Sequence, residues 1–226
     1  MLVATNLLRK FREKLRYGTV LYYLQGRLSR AGLALNPYYL VKERLVAESD
    51  LKVALQPKLP HLSVSFLDED EIAAVYQHPE RDASKQFYRI PDRIAGGCRC
   101  FGVKHERQVV AYTWCDYSQC NHLPLKFPLK ENEAYLFDMY TFKRYRGRNI
   151  APYMRYQLYH RLTEMGRTAY YSITEAWNTP SAKFKRKLGA EPEKLYLNIK
   201  LFGRLEWNVF LKRCRPNQAR NSGDTI

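Results

Sequence analysis

The chain has 226 residues, with 38 Lys and Arg against 22 Asp and Glu, a formal net charge of +16. That length suits one domain with an extension and is enough to bury a sizeable core, and 18 Tyr with 10 Phe exclude a chain that is disordered over most of its length. So basic a chain expects anionic company, such as phosphorylated ligands, acidic headgroups or nucleic acid, while no apolar run approaches the ~20 residues needed to cross a bilayer as a helix.

The five cysteines are Cys98, Cys100, Cys115, Cys120 and Cys214. An odd count, with neither a clean apolar leader nor a cleavage site at the start, leads us to expect free thiols in a reducing, cytoplasmic setting. There is no Cys-x2-Cys pair, and Cys98 and Cys100 fall in a strand pattern. They read as small buried apolar residues, and no metal is expected.

Residues 1–45 form a basic helical extension. Leu7, Leu8, Phe11 and Leu15 make an apolar stripe, and Arg9, Lys10, Arg12, Lys14 and Arg16 occupy the opposite face. Such stripes mostly face a core; the second reading lays residues 1–30 on an anionic membrane surface. Asn36-Pro37 breaks the pattern, and Tyr38 to Val46 is a short helix or strand. Leu55 to His61, with Pro57 and Pro60, reads as a linker.

Leu62 to Leu67 alternates as a strand, and Asp68-x-x-Glu71 is a capping box for a helix to about Gln77. A second helical piece is expected between Asp82 and Ile94. Cys98 to Lys104 and Gln108 to Cys115 form a hairpin, with Tyr112 and Trp114 on one face and Val109, Ala111 and Thr113 on the other. The loop from Asp116 to Asn132 is long for a hairpin connection, which favours a functional or partner-binding role.

Ala134 to Thr141 is rich in aromatic and β-prone residues and reads as a buried strand. A tight basic turn follows, with Lys143, Arg144, Arg146 and Arg148. Ile150, Met154, Leu158, Leu162 and Met165 then recur at helical spacing, with Pro152 as the first helical residue and Gly166 as the stop. A helix start offers unpaired N–H groups and the positive end of a dipole, which together bind phosphate oxygens. Asp138 is the one acid between Glu133 and Glu164. Ala169 to Thr174 is a further strand, followed by a helix from Thr179-Pro180 to Gly189. Leu195 to Lys200 and Glu206 to Leu211 form a last hairpin around Gly203, and residues 214–226 are a polar tail.

Two of these stretches resemble a known family. Arg146-Gly147-Arg148-Asn149-Ile150-Ala151 is similar to motif A of the GNAT superfamily of N-acyltransferases, Arg/Gln-x-x-Gly-x-Gly/Ala, with Asn149 in place of a Gly. Asn is among the few non-Gly residues that accept positive φ. Asn178 to Ala190 is similar to motif B, Asn-x-x-Ala…Tyr-x-x-Leu-Gly-Phe, with Ser181 for Ala, Ala190 for Phe and Lys185 where the family has Tyr. The resemblance covers roughly Leu62 to Leu211. It implies an α/β (α+β) fold, a mixed and mostly antiparallel twisted sheet flanked by helices, over residues 46–213.

The resemblance also implies an activity, transfer of an acetyl or other short acyl group from coenzyme A to an amine by direct attack. The alternative is a catalytically inactive binding protein of that fold, holding coenzyme A or associated with membrane or nucleic acid; nucleic acid is the least expected partner. Acetyl-CoA or another acyl-CoA would be the co-substrate, and a small molecule or peptide amine the acceptor. Arg146, Gly147, Arg148, Asn149, Ile150 and Ala151 would hold the diphosphate, and the Met139 or Thr141 N–H the pantetheine arm and the oxyanion. Asn178 would bond the arm near the sulfur, and Ser181 and Lys185 complete the cofactor side. Glu133 leads as the base, followed by Asp138 and Glu175. With the family Tyr replaced, Tyr140 or Tyr171 would protonate the thiolate. Tyr76, His78, Arg81, Phe87, Tyr88 and Arg89 are acceptor-side candidates by position.

Overall fold

The computed structural model describes residues 28, 30–45, 56–81, 90–122 and 125–214. The helical stripe of residues 1–27, the candidates Phe87, Tyr88 and Arg89, and the tail from residue 215 lie outside the described residues. In chain order the elements are β1 (Leu33–Glu43), β2 (Leu62–Phe66), α1 (Glu69–Gln77), α2 (Ile90–Ala95), β3 (Arg99–His105), β4 (Gln108–Asp116), β5 (Gln119–His122), β6 (Leu125–Pro128), β7 (Glu133–Thr141), a 3-10 turn (Lys143–Tyr145), α3 (Ile150–Glu164), β8 (Ala169–Glu175), α4 (Thr179–Lys187), β9 (Glu191–Leu201) and β10 (Leu205–Arg213). They fall into two compact units. The larger holds Lys42–Ile173 and Pro180–Ala190, the smaller Met1–Val41, Thr174–Thr179 and Glu191–Ile226.

In the larger unit the strands lie in the order β8-β7-β4-β3-β2. Every pair is antiparallel except β7 with β8, which is parallel. This is the mixed, mostly antiparallel sheet flanked by helices that the motifs implied. The face of α3 carrying Ile150, Met154, Leu158 and Leu162 packs on Phe101, Val103, Ala111 and Leu136, together with Leu188 just past α4. Each of the four α3 side chains is at most 1% exposed, worth roughly 1.5–3 kcal/mol apiece. On the other face, Ile72, Val75 and Tyr76 of α1 and Ile90 of α2 pack on Tyr112, Trp114 and Phe142.

Local chemistry sets the boundaries. The expected capping box is present: the Glu71 N–H donates to Asp68 Oδ1 at 2.8 Å and the Asp68 N–H to Glu71 Oε2 at 3.1 Å. Pro152 is the third residue of α3, not the first, and is still harmless because none of the first-turn N–H groups has a helical acceptor. Met165 caps the helix and is 44% exposed, outside the apolar face. The β3–β4 register shifts at Val103/Lys104, with Ala111 opposite Val103 and Val109 opposite Lys104. The extra residue, Val110, turns Val109 to the Tyr112 side and enters the other core itself. The long loop after β4 carries the short hairpin β5–β6.

In the smaller unit β9 and β10 pair as an antiparallel hairpin. Tyr38 of β1 stacks on Tyr196 of β9 at 5.5 Å, and its hydroxyl donates to Asn208 Oδ1 at 2.6 Å.

Candidate functional site

Strands β7 and β8 part company. Their parallel pairing is confined to Glu133 with Ala169, Ala134 with Tyr170 and Tyr135 with Tyr171. Beyond Tyr135, β7 runs on to Thr141 paired with β4 alone. A bulge marks that stretch: Tyr140 lies opposite Tyr112 and Phe137 opposite Trp114, so two residues of β7 face Thr113. Asp138, at φ 45°, occupies the bulge, and the Thr113 hydroxyl donates to the Phe137 carbonyl at 3.2 Å. Met139 and Thr141 therefore stand on a strand with one open edge.

That open strand runs into the basic turn. The Arg146 N–H closes on the Lys143 carbonyl at 3.2 Å, its Nε donates to the Thr141 carbonyl at 3.0 Å, and its guanidinium lies over the Tyr140 ring. Gly147 and Asn149 are both left-handed, at φ 75° and 64°. Asn149 is the N-cap of α3, yet its side chain makes no cap bond. Instead its Nδ2 donates to the Gln56 carbonyl at 3.1 Å, and its Oδ1 accepts from Lys187 Nζ at 3.0 Å. The Lys58 N–H donates to the Arg148 carbonyl at 2.9 Å. The turn is thus pinned through its carbonyls and the Asn149 amide group. Among the described residues, Gly147 and Arg148 donate no backbone hydrogen bond outside the helices and strands, and both are exposed.

A parallel strand pair that parts before a left-handed turn at a helix start is therefore the geometry of this domain, and the comparisons with known proteins give its family. The acetyltransferase (GNAT) family profile matches residues 63–190, more than half of the chain. The chain belongs to the GNAT acetyltransferase family. No curated protein matches it by sequence. Among solved structures it is similar to the GCN5-related glucosamine N-acetyltransferase region of a fungal multi-domain β-N-acetylglucosaminidase (TM-score 0.55, 14% identity, 78% of this chain and 22% of that one). It is also similar to a GCN5-related N-acetyltransferase-like protein from Streptococcus suis (0.52, 16%, 81% and 67%) and to a functionally unknown conserved protein from Staphylococcus epidermidis (0.52, 9%, 77% and 65%). The chain spans 22% to 67% of the length of these three proteins, and at such identities the likeness concerns the fold alone.

Within this GNAT domain the three acidic candidates have different surroundings. Glu133 opens β7 at its paired end; its Oε1 accepts from the Tyr171 hydroxyl at 3.1 Å and its Oε2 from the Lys130 N–H at 3.0 Å. The structure thus joins Glu133 and Tyr171 directly. The Asp138 carboxylate takes Arg93 Nη1 at 2.7 Å, the Tyr76 hydroxyl at 2.8 Å and Arg81 Nη2 at 3.4 Å. Burial first, and then Asp138, push the Tyr76 hydroxyl up to about 12. Arg93 is flanked by the rings of Trp114 and Phe137, each 5.1 Å away. So engaged, Asp138 anchors α1 and α2 to the bulge. Glu175 is exposed and lies in the smaller unit, where its carbonyl accepts the Asn178 N–H at 3.0 Å.

Beside the paired end of β7 lies a cavity of about 570 Å³. Tyr135 and Phe137, stacked at 5.3 Å, line it together with Asp116, Asp92 of α2, and His122 and Lys126 of the β5–β6 hairpin.

The motif B lysine is buried. Lys185 Nζ donates to Ser172 Oγ at 2.6 Å and lies 3.7 Å from Glu43 Oε1. Glu43 is fully buried and also accepts from the Ser172 and Tyr159 hydroxyls. Its Oε2 is 3.7 Å from Arg155 Nε. Burial alone would raise the Glu43 carboxyl, but Arg155, Lys185 and the two hydroxyls hold it below its usual range. Burial brings Lys185 down to about 8, with Glu43 opposing. Ser181 sits half-buried in the first turn of α4. Neither Glu43, Arg155, Tyr159 nor Ser172 was marked in the sequence reading. Arg155 interrupts the neighbourhood of an apolar stripe, which is a faint signal; Glu43 follows an ordinary strand pattern and gave none.

Proposed function

We propose that this chain is an acyl-CoA-dependent N-acyltransferase that passes a short acyl group, acetyl by default, from coenzyme A to an amine by direct attack. The observation that carries the reading is the β7 edge, open from Leu136 to Thr141 and ending in a turn with left-handed Gly147 and Asn149. The N–H groups from Arg146 to Ala151, minus the one Arg146 spends on Lys143, would take the diphosphate at the start of α3. Exposed Lys143, Arg144 and Arg148 would add charge. The pantetheine arm would run along Met139 and Thr141 as an added strand, with one of their N–H groups holding the thioester oxygen as it becomes an oxyanion.

The amine acceptor would enter through the cavity beside Tyr135 and Phe137. Glu133, through Tyr171 or a water, would remove the ammonium proton before attack. Ser181 completes the cofactor side of this reading within the larger unit, and cytoplasmic placement goes with it. Isothermal titration with CoA and acetyl-CoA tests it, with Arg146→Glu and Asn149→Pro as controls. Binding that both substitutions abolish supports the reading, and equal binding in all three proteins overturns it. Binding without thiol release against an amine panel would leave a CoA binder rather than an enzyme.

A further inference from the structure

The basic surface around the turn is larger than a coenzyme needs. Lys143, Arg144 and Arg148 are exposed on the turn, and Lys183, Arg186 and Lys187 on α4. Lys187 reaches the turn directly, donating from Nζ to Asn149 Oδ1 at 3.0 Å, and Lys183 lies one helical turn before it on the same face. Lys58, also exposed, joins them through its N–H bond to the Arg148 carbonyl at 2.9 Å. All seven belong to the larger unit, and among the described residues none of them forms a salt bridge. The chain has no acid from Met139 to Thr163 or from Ala176 to Ala190. Glu80 borders the turn, where its Oε2 accepts from the Lys143 N–H at 2.8 Å and the Tyr140 hydroxyl at 3.3 Å. Coenzyme A, with about four negative charges, would answer little more than half of the seven cations.

The place and makeup of this surface say what would cover it. It borders the point where the open edge of β7 runs into the turn, which is where a pantetheine arm would enter. Among the described residues it includes no exposed large apolar side chain; those are Met165 and six residues between Phe202 and Leu211. A membrane interface uses apolar anchors that insert among the headgroups, and a single-stranded nucleic acid uses aromatic platforms for its bases. Charge without such anchors suits the acidic face of a folded protein, where complementarity sets orientation and speeds encounter. The partner that brings an acidic face and a pantetheine arm together is an acyl carrier protein, its arm attached through a single phosphate.

We infer that the acyl group is delivered on an acidic carrier protein, as a thioester of its phosphopantetheine arm, and that the cations of α4 and the turn hold the carrier against the strand opening. This deepens, and rests on, the acyl-transfer reading above; coenzyme A thioesters use the same edge and bind it more weakly. The neutral amine attacks the thioester carbonyl carbon: the C–N bond forms, the C–S bond breaks, and the proton that the nitrogen sheds on attack goes to the departing thiolate. Titration calorimetry on the wild type compares an acetyl-loaded acyl carrier protein with acetyl-CoA. The loaded carrier binds about tenfold or more tightly, because arm and surface engage together, and its affinity falls with added salt. Lys183→Glu combined with Arg186→Glu, at two exposed positions outside the phosphate cradle, weakens the carrier about tenfold or more and leaves acetyl-CoA within about threefold. A carrier that binds no more tightly than acetyl-CoA, or a variant that loses both donors equally, overturns the inference and leaves the acyltransferase reading intact. So does tighter binding of phosphatidylserine-containing vesicles or of a DNA duplex than of the carrier. If carrier, acetyl-CoA and free CoA all fail to bind, it is the acyltransferase reading that falls. Should the double variant fail to fold, the wild-type comparison alone still decides.

Discussion

The Nζ of Lys187, in the last turn of α4, donates to the Oδ1 of Asn149 at the start of α3 over 3.0 Å. This contact explains how Asn stands at φ 64° where the family motif has Gly. A non-Gly residue in that region costs about 1–2 kcal/mol, Asn somewhat less, and the two side-chain bonds to Lys187 and Gln56 return about 0.5–1.5 kcal/mol each. Asn149→Ala, which keeps the strain and loses both bonds, is expected to destabilise by about 2 kcal/mol. Asn149→Gly, which loses the bonds and the strain together, should stay within about 1 kcal/mol of wild type. Urea denaturation measures both; equal losses would mean the contact does not offset the strain.

Two residues earlier the same turn uses a true glycine for a different reason. A Cβ at Gly147 would meet nothing within 4 Å, yet φ is 75°. Gly147→Ala is therefore a purely conformational change, with a cost of about 1–2 kcal/mol that the turn relieves by moving toward negative φ. The N–H groups then turn away from a shared focus. We expect CoA affinity to fall about tenfold, since 1.4 kcal/mol is a factor of ten, with only a small change in melting temperature. Calorimetric titration beside a thermal melt separates the two; unchanged affinity would remove Gly147 from the phosphate cradle.

The fold was largely legible because its elements announce themselves locally. Asp68 and Glu71 cap α1, Ile150 to Leu162 recur at helical spacing, and the motif around Arg146 names the turn. What stayed hidden is long-range. Glu43 meets Tyr159, Ser172 and Lys185 across 116 to 142 positions of chain (Tyr159 and Ser172 from hydrogen bonds, Lys185 from its ion pair), and nothing in the neighbourhood of Glu43 signals that it will be buried. The bulge at Asp138 and the extra Val110 were equally silent, since a one-residue shift in pairing belongs to two strands and cannot be read from either.

Glu43 and Lys185 are not equivalent partners, and stability should show it. Glu43→Gln leaves Arg155 and Lys185 buried together without a counter-charge, an expected loss of about 3–5 kcal/mol. Lys185→Met leaves Glu43 paired with Arg155 alone, so its cost should be much smaller. The pH dependence follows from the shifts. Lys185 has its pKa lowered from 10.5 to about 8 on folding, so between those values the folded state binds fewer protons and stability rises with pH. Glu43, lowered from 4.5, contributes stability that is present above that value and lost as pH falls through its folded pKa. Melts of wild type and Lys185→Met from pH 7 to 10 should diverge above pH 8, with only the wild type gaining from this group. Parallel curves would mean Lys185 titrates normally.

Asp138 and Glu133, five residues apart on β7, should separate structure from chemistry. Asp138 receives Arg93, Arg81 and Tyr76, so Asp138→Asn, which tolerates the same φ, leaves two half-buried guanidiniums without their anion. We expect a loss of about 3 kcal/mol and a fall in turnover no larger than that unfolding explains. The Glu133 carboxylate accepts from the Tyr171 hydroxyl and the Lys130 N–H, at the first residue of β7. Glu133→Gln keeps the Tyr171 contact and should leave the melting temperature within about 3 °C, an effect of less than 1 kcal/mol. Thioester turnover with an amine should drop about 100-fold or more if this carboxylate is the base, and the loss should shrink as rising pH deprotonates the amine without help. A Glu133→Gln enzyme at full rate near neutral pH would hand the role to another group, and the acceptor cavity beside Tyr135, with Asp116 and His122 on its wall, is where that group would be sought.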